Sequence, residues 1–135
     1  MDFSTAMQNL NWLAVIAAAI STFLIGGIWY KVFEKSWISS NGFSTEDLQN
    51  RNTGLIFGLA FLFSLIMAFN LALFIGDGDT SYGALAGFLT GFGWVFFAIG
   101  IISLFEKRSA VYVLINGGYM ITAFTVMGAI IGAWH

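Results

Sequence analysis

Four long runs of apolar residues, separated by short polar connections, constrain this chain more than any other feature of its sequence. The runs extend over about residues 11–30, 53–75, 82–105 and 110–134, and none contains an internal Lys, Arg, Asp or Glu. A helix needs about 20 apolar residues to cross the ~30 Å hydrocarbon layer of a membrane. The sequence therefore predicts an all-α polytopic membrane protein, folded as a bundle of four transmembrane helices.

The composition agrees with this fold class. Of the 135 residues, 59% are hydrophobic and 9% are charged, which leaves too few polar side chains to cover the surface of a water-soluble globule. We expect one membrane domain covering residues 1–135. The net charge of -2 is slight and shows no basic footprint for nucleic acid, so no nucleic-acid partner is predicted.

The basic residues predict an orientation. All five lie in the first and third connections, over residues 31–52 and 106–109, and they are Lys31, Lys35, Arg51, Lys107 and Arg108. Connections rich in Lys and Arg stay in the cytoplasm, so both termini and the short turn at 76–81 are expected outside. Membrane lipid is an expected partner, because such residues are attracted to anionic headgroups.

Tryptophans support the proposed membrane boundaries. Trp12 and Trp134 fall at the outer boundary, whereas Trp29 and Trp37 fall near the inner one, where aromatic side chains are enriched. Trp37 belongs to the longest connection, which mixes apolar and charged residues. That mixture predicts an interfacial segment between the first and second helices, lying in the headgroup layer.

Small residues spaced four apart predict close helix packing. Helices in lipid associate through close backbone approach rather than through hydrophobic burial. The expected packing residues are Ala18, Gly26, Gly54, Gly58, Gly83, Gly87, Gly91, Gly128 and Gly132. Some of these faces are candidates for contacts between subunits, so a homo-oligomer is a possible assembly. The chain has no proline, and any interruption of a span is expected at Gly26-Gly27, at Gly91 and Gly93, or at Gly117-Gly118.

Few residues within the spans could bind a ligand. Asn70, Trp94, Asn116 and Thr122 are the candidates for contact with a pore or a ligand, because their polar groups would be costly to leave unpaired in lipid. Asn116 precedes Gly117-Gly118, where a helix could unwind and expose carbonyl groups to an ion. The alternative is that these groups form hydrogen bonds between helices and fix the packing of the bundle.

The sequence contains few residues that could act as a nucleophile, an acid, a base or a metal ligand. The chain has no cysteine, and its one histidine is the terminal His135, which we interpret as inert. Asp77 and Asp79 could chelate a cation, although two acids in a glycine-rich turn more often form a soluble connection. We predict no enzymatic activity, no catalytic residue, no cofactor and no metal site.

Ordered aromatic, asparagine and glycine motifs resemble a known family. They are Asn11-Trp12-Leu13-Ala14-Val15, Gly26-Gly27-Ile28-Trp29-Tyr30 with Phe33 and Trp37, Leu104-Phe105-Glu106-Lys107, and Asn116-Gly117-Gly118-Tyr119 leading to Met127-Gly128-Ala129-Ile130-Ile131-Gly132-Ala133-Trp134. Together they resemble the bacterial membrane family catalogued as domain of unknown function 1761. The resemblance implies a small four-span protein of the bacterial inner membrane. It supplies no activity, substrate or functional residue.

Two functional classes follow from these patterns. The first is a structural or interaction protein that associates with itself, lipid or another membrane protein through its small-residue faces. The second is a small channel or carrier for an ion or small solute, formed between helices or subunits. The absence of charge within the spans favours the first class.

Overall fold

A computed structural model describes residues 2–134 and shows eight α-helices, one π-helical segment and no strand over that range. In chain order the elements are α1 (Phe3–Gln8), α2 (Trp12–Val32), α3 (Glu34–Asn41), α4 (Thr45–Gln49), α5 (Thr53–Ile75), α6 (Thr80–Thr90), the π segment (Gly91–Phe96), α7 (Phe97–Phe105) and α8 (Ala110–Ala133). Met1 and His135 lie outside the described residues.

Four of these helical stretches are long and apolar enough to cross a membrane. They are α2, α5, the continuous stretch Thr80–Phe105 formed by α6, the π segment and α7, and finally α8. The predicted all-α, four-span fold is thereby confirmed. The short helix α1 was not predicted, because six residues with one buried side chain, Ala6, give little periodic signal.

A polar side chain caps the first turn of each span. Asn11 accepts hydrogen bonds from the backbone N–H groups of Leu13 and Ala14, and Asn52, Asp79 and Ser109 accept in the same way at the starts of α5, α6 and α8. These groups satisfy N–H donors that a helix leaves free at its start. The span starts are therefore encoded locally, by one capping residue ahead of each apolar run.

Helix α8 lies at the centre of the bundle. It packs against α2, α5 and, most closely, α6. At the α6–α8 contact backbone meets backbone: a Cβ at Gly87 would overlap the carbonyl oxygen of Phe124, and one at Gly83 would overlap that of Gly128. Only glycine permits this approach, as expected for packing that relies on small residues.

The five basic residues lie at one end of the bundle, which we call the basic end. Lys35, Lys107 and Arg108 line one cavity there, and Lys31 and Arg51 line another. The opposite end carries the turn between α5 and α6, the start of α2 and the end of α8, where the side-chain amide of Asn11 donates to the carbonyl oxygen of Trp134 at 3.2 Å. The two connections that carry basic residues are thus on the same side of the bundle.

The buried core fills the half of the bundle remote from the basic end. Its members come from the first half of α2, the second half of α5 and the second half of α8, and they are Val15, Ala18, Ala19, Ala68, Leu71, Ala72, Ile75, Phe124, Met127 and Ile131. Near the basic end α5 has no such packing, since every residue over 51–59 is exposed. Helices α2, α5 and α8 therefore form a packed core in one half of the bundle, whereas α5 is exposed in the other half.

The connection between α2 and α5 forms two short helices, α3 and α4, neither of which has a buried residue. Ser44 caps α4 as the sequence indicates, in a reciprocal arrangement with Asp47. The Ser44 backbone N–H, followed by the Ser44 hydroxyl, holds the pKa of the Asp47 carboxyl below its usual value. The helix that Ser44 caps is separate from the second span, because α4 ends at Gln49 and Asn52 caps a new helix.

The third span changes its helical form at the π segment. This segment begins at Gly91 and includes Gly93, one of the three places where an interruption was expected. The other two pairs, Gly26-Gly27 and Gly117-Gly118, lie within uninterrupted α-helix. A span that unwinds at Gly117-Gly118 is therefore not observed.

Candidate functional site: the α2–α5 groove and its α2–α8 wall

Three hydrogen bonds join α2 to α8. The Trp29 indole N–H donates to the carbonyl oxygen of Ile115 at 2.9 Å, and the Tyr30 hydroxyl donates to Oδ1 of Asn116 at 2.7 Å. Deeper in the bundle, the Tyr119 hydroxyl donates to the carbonyl oxygen of Thr22 at 2.9 Å. Each polar group that these aromatic side chains carry into the apolar layer is therefore paired.

The same side chains fit against glycines on the facing helix. A Cβ at Gly26 of α2 would lie 2.9 Å from the Tyr119 hydroxyl oxygen, and a Cβ at Gly118 of α8 would lie 2.9 Å from Cζ2 of Trp29. Both distances are shorter than an ordinary van der Waals contact. The contact is thus reciprocal: Gly26 of α2 packs against Tyr119 of α8, and Gly118 of α8 packs against Trp29 of α2.

This wall borders a lateral opening that we call the α2–α5 groove, with a volume of about 820 Å³. Its lining comes from three helices and two connections, and it consists of Phe23, Gly26, Gly27, Tyr30, Lys31, Glu34, Trp37, Arg51, Ile56, Phe57, Ala60, Ser64, Asn116 and Tyr119. The volume falls within the about 300–1,000 Å³ that is usual for ligand sites. The groove lies beside the stretch of α5 over residues 51–59, where every residue is exposed.

Polar groups inside the groove are already engaged within the chain. Asn116 accepts from Tyr30 and donates through Nδ2 to the carbonyl oxygen of Tyr112 at 3.1 Å, while the Ser64 hydroxyl donates to the carbonyl oxygen of Ala60 at 2.8 Å. Over residues 2–134, no buried side-chain nitrogen or oxygen lacks a partner. The depth of the groove therefore suits an apolar occupant.

Unlike the polar groups in the depth, the charged groups at the mouth of the groove form no ion pair with one another. Lys31, Glu34 and Arg51 are exposed and line the opening. The structure shows one ion pair among its described residues, between Arg108 and Glu106 at 3.7 Å, and it lies elsewhere. Arg51 uses its Nε to donate to the carbonyl oxygen of Leu48, which leaves the rest of the guanidinium group available. Two cations thus face one carboxylate at the mouth.

The groove does not extend through the bundle. Lys31 at the mouth follows Phe23 at the deep end by eight positions of α2, which is about 12 Å along the helix axis. The remaining length is occupied by the core, which begins at Ala19 and Ala68. The groove therefore occupies one half of a ~30 Å hydrocarbon layer.

The four candidate pore or ligand residues are not brought together. Asn116 lines the groove, while Thr122 donates to the carbonyl oxygen of Gly118 at 3.0 Å within α8. Asn70 is exposed near the opposite end and donates to the carbonyl oxygen of Ile66. Trp94 is 67% exposed on the outer surface of the third span, with its ring edge-to-face against Phe74. Trp94 is therefore not buried between the helices of this chain.

The predicted packing residues fall into two groups. In the first group each residue is buried or lies against a neighbouring helix: Ala18, Gly26, Gly83, Gly87, Gly91, Gly128 and Gly132. In the second group are Gly54 and Gly58, for which no other helix lies within 4 Å of an added Cβ. Both lie on the exposed stretch of α5, so within this chain they do not pack.

The remaining predicted boundary residues lie at the two ends of the bundle. Trp12 is exposed and stacks on Phe69 with ring centroids 5.7 Å apart, and Trp134 is also exposed. Trp37 packs edge-to-face on Tyr30 at 5.6 Å, above the groove mouth. The Arg108 guanidinium lies 5.0 Å from the centre of the Tyr112 ring.

Two residues that line the groove, Tyr30 and Tyr119, were missed as functional candidates, and so was Gly118, which packs against Trp29 outside the groove. The signal for them was present, since Gly26-Gly27-Ile28-Trp29-Tyr30 and Asn116-Gly117-Gly118-Tyr119 are conspicuous motifs in apolar runs. The contacts between these motifs could not be predicted, because they depend on α2 and α8 lying side by side and on how each helix is rotated about its own axis. Glu34, which adjoins Lys35 in the sequence, is a further residue of the lining that the sequence did not single out.

A four-span α-helical membrane protein with a lateral groove at its basic end is the class that these features define. The chain matches the family described as "Protein of unknown function (DUF1761)" over residues 13–132, nearly its whole length, and it belongs to that family. No match is found among curated proteins or among solved structures.

Proposed function

We propose that this chain is a non-enzymatic interaction protein of the cell membrane that holds one lipid molecule in the α2–α5 groove. The proposal rests on a contrast between two parts of the groove. Its depth is largely apolar, and the polar groups there are hydrogen-bonded within the chain, whereas its mouth carries charged side chains. A membrane lipid has the same division between its acyl chains and its headgroup. Neutral hydrogen-bonding groups in the depth are already paired, so an acyl chain leaves none of them unsatisfied.

The closed end of the groove favours binding over passage. A channel or carrier needs a path that reaches both sides of the membrane, whereas here the packed core lies between the groove and the opposite end. Asn116, the candidate for an ion path, has both its amide oxygen and its amide nitrogen engaged. These contacts support a ligand that stays within one leaflet.

The proposal includes no catalytic step. The groove lining holds one carboxylate, Glu34, at the mouth, and no group of three or more His, Cys, Asp or Glu residues within residues 2–134 could hold a metal ion. We place the protein in the bacterial inner membrane with its basic end in the cytoplasm, on the strength of the clustered Lys and Arg residues. The bound lipid then comes from the cytoplasmic leaflet.

Filling the groove tests this function. Gly27 lines the groove and has no atom within 4 Å of an added Cβ, and Gly100 of α7 has equally open surroundings away from the groove. Gly27→Leu and Gly100→Leu are thus matched variants. Native mass spectrometry of full-length protein in mild detergent is expected to show one bound phospholipid in the wild type and in Gly100→Leu, and none in Gly27→Leu. Retention of lipid by Gly27→Leu, or its absence from the wild type, would overturn the proposal.

Self-association is a second candidate, supported by the exposed stretch of α5. Gly54 and Gly58 are four residues apart, they lie against no helix of this chain, and every residue over 51–59 is exposed. A second copy could pack its own α5 against this face. Light scattering in detergent is expected to show a dimer that Gly58→Leu disrupts and Gly100→Leu preserves. A monomer in the wild type would remove this candidate and leave the lipid site unaffected.

A further inference from the structure

We infer that the α2–α5 groove selects an acidic phospholipid, through Lys31 and Arg51 acting together on its phosphate-containing headgroup. The inference rests on the proposed function, since it names the class of lipid that the same groove takes. Lys31 ends the α2 wall and Arg51 precedes the α5 wall, so the two cations reach the mouth from opposite sides. Glu34 supplies one negative charge there, which leaves an excess of one positive charge at the opening.

Neither cation has a carboxylate partner among the described residues. No carboxylate oxygen lies within 4.0 Å of Lys31 or Arg51, because the one ion pair of that part of the chain joins Arg108 to Glu106. A guanidinium group presents several donors in a planar arrangement that fits phosphate oxygens, and Arg51 commits only its Nε to the Leu48 carbonyl. An anion at the mouth therefore meets donors that are not already bonded to a carboxylate of residues 2–134.

The position of the charges relative to the apolar walls fixes the kind of anion. Ile56 and Phe57 of α5 follow Arg51 by less than two helical turns of sequence, and they line the groove together with Phe23. A soluble phosphate ion gains nothing from these walls, whereas burial of an acyl chain contributes about 0.8 kcal/mol for each methylene group. Headgroup and chain contacts are contiguous, so one diacyl lipid can make both.

Glu34 also helps to define the headgroup. Its carboxylate lies at the mouth on the same side as Lys31 and repels a headgroup with several negative charges. A headgroup with one phosphate diester and a neutral hydroxylated end is the chemistry that fits best, because its hydroxyl groups can donate to the carboxylate. Phosphatidylglycerol has this chemistry and is the probe for the test, with phosphatidylcholine as the zwitterionic comparison.

The test uses full-length protein, delipidated in detergent and titrated with phosphatidylglycerol or phosphatidylcholine of identical acyl chains, with native mass spectrometry to count bound lipid. We expect phosphatidylglycerol to bind at least about fivefold more tightly, and the doubly substituted Lys31→Gln/Arg51→Gln protein to lose that preference. The matched control is Lys107→Gln/Arg108→Gln, which removes the same charge from the same end but leaves the groove lining unchanged. The control is expected to retain the preference.

The outcomes separate the two proposals. If both lipids bind equally and Gly27→Leu abolishes both, the groove holds lipid and the inference about its headgroup is wrong. An equal loss of preference in the Lys107/Arg108 control would also overturn the inference, because the selection would then belong to the basic end as a whole. If neither lipid binds in a way that depends on Gly27, the proposed function itself fails. A preference that requires Lys31 and Arg51, together with binding that requires an open groove, supports both.

Discussion

The hydroxyl group of Tyr30 donates a hydrogen bond to Oδ1 of Asn116, over 2.7 Å and across the contact between α2 and α8. Asn116 also forms a second hydrogen bond, in which its Nδ2 donates to the Tyr112 carbonyl oxygen one turn earlier in α8. Both the oxygen and the nitrogen of the side-chain amide are thus engaged. This pair forms the wall of the groove nearest its mouth.

Removal of the Tyr30 hydroxyl is expected to destabilise the bundle. Tyr30→Phe leaves the Asn116 oxygen without its donor, and hydrogen bonds between membrane helices contribute about 0.6–2 kcal/mol each. We expect a loss of unfolding free energy in this range, measured by denaturant titration in mixed micelles. Tyr112→Phe is the control, since the Tyr112 hydroxyl makes no hydrogen bond to any other residue in the described range 2–134. An equal loss in both variants would argue against the pair.

The α6–α8 contact is expected to tolerate no added methyl group. In Gly87→Ala the new Cβ would overlap the backbone carbonyl of Phe124, and backbone atoms in a packed helix cannot rotate away. The cost of such overpacking is typically about 1–3 kcal/mol. Gly100→Ala has open space at the same atom and replaces glycine with a better helix former, so its stability should stay equal or rise. Thermal unfolding in detergent distinguishes them, and a stable Gly87→Ala protein would contradict the close approach.

Two further variants test the fit between α2 and α8. Gly26→Ala places its Cβ 2.9 Å from the Tyr119 hydroxyl oxygen, and Tyr119→Phe removes that oxygen while also losing the bond to the Thr22 carbonyl. We therefore expect the double variant to be less destabilised than the sum of the two single variants. The coupling expected for residues in contact is about 0.5–3 kcal/mol. Additive losses in a double-mutant cycle would mean that Gly26 and Tyr119 do not touch.

Local features of this fold could be predicted well from the sequence. Four apolar runs of spanning length force four helices, and Asn11, Asn52, Asp79 and Ser109 determine where those helices begin, because each cap acts within its own turn. The clustering of Lys and Arg likewise indicated that two connections share one end. None of these inferences required knowing how the helices pack.

The groove could not be predicted, because it depends on how the helices are rotated and tilted against one another. Gly54 and Gly58 have the same spacing as Gly83 and Gly87, yet one pair faces away from the bundle and the other meets a backbone. Spacing identifies a possible contact face without identifying its partner. Trp94 illustrates the same limit, since its depth in the span does not indicate that it lies on the outer surface, within the π segment.

The orientation of the chain can be tested because the sequence has no cysteine, so that single introduced cysteines can be labelled without background. Lys35 and Lys107 line one cavity at the basic end, while Asp77 lies at the opposite end. We expect a membrane-impermeant maleimide added to intact bacteria to label Asp77→Cys and to leave Lys35→Cys and Lys107→Cys unlabelled until the membrane is opened. A reporter fused after His135 should be active only on the outer side. Labelling of Lys35→Cys and Lys107→Cys from opposite sides would contradict the four-span bundle, whereas labelling of both from outside would invert the orientation and place the groove in the outer leaflet.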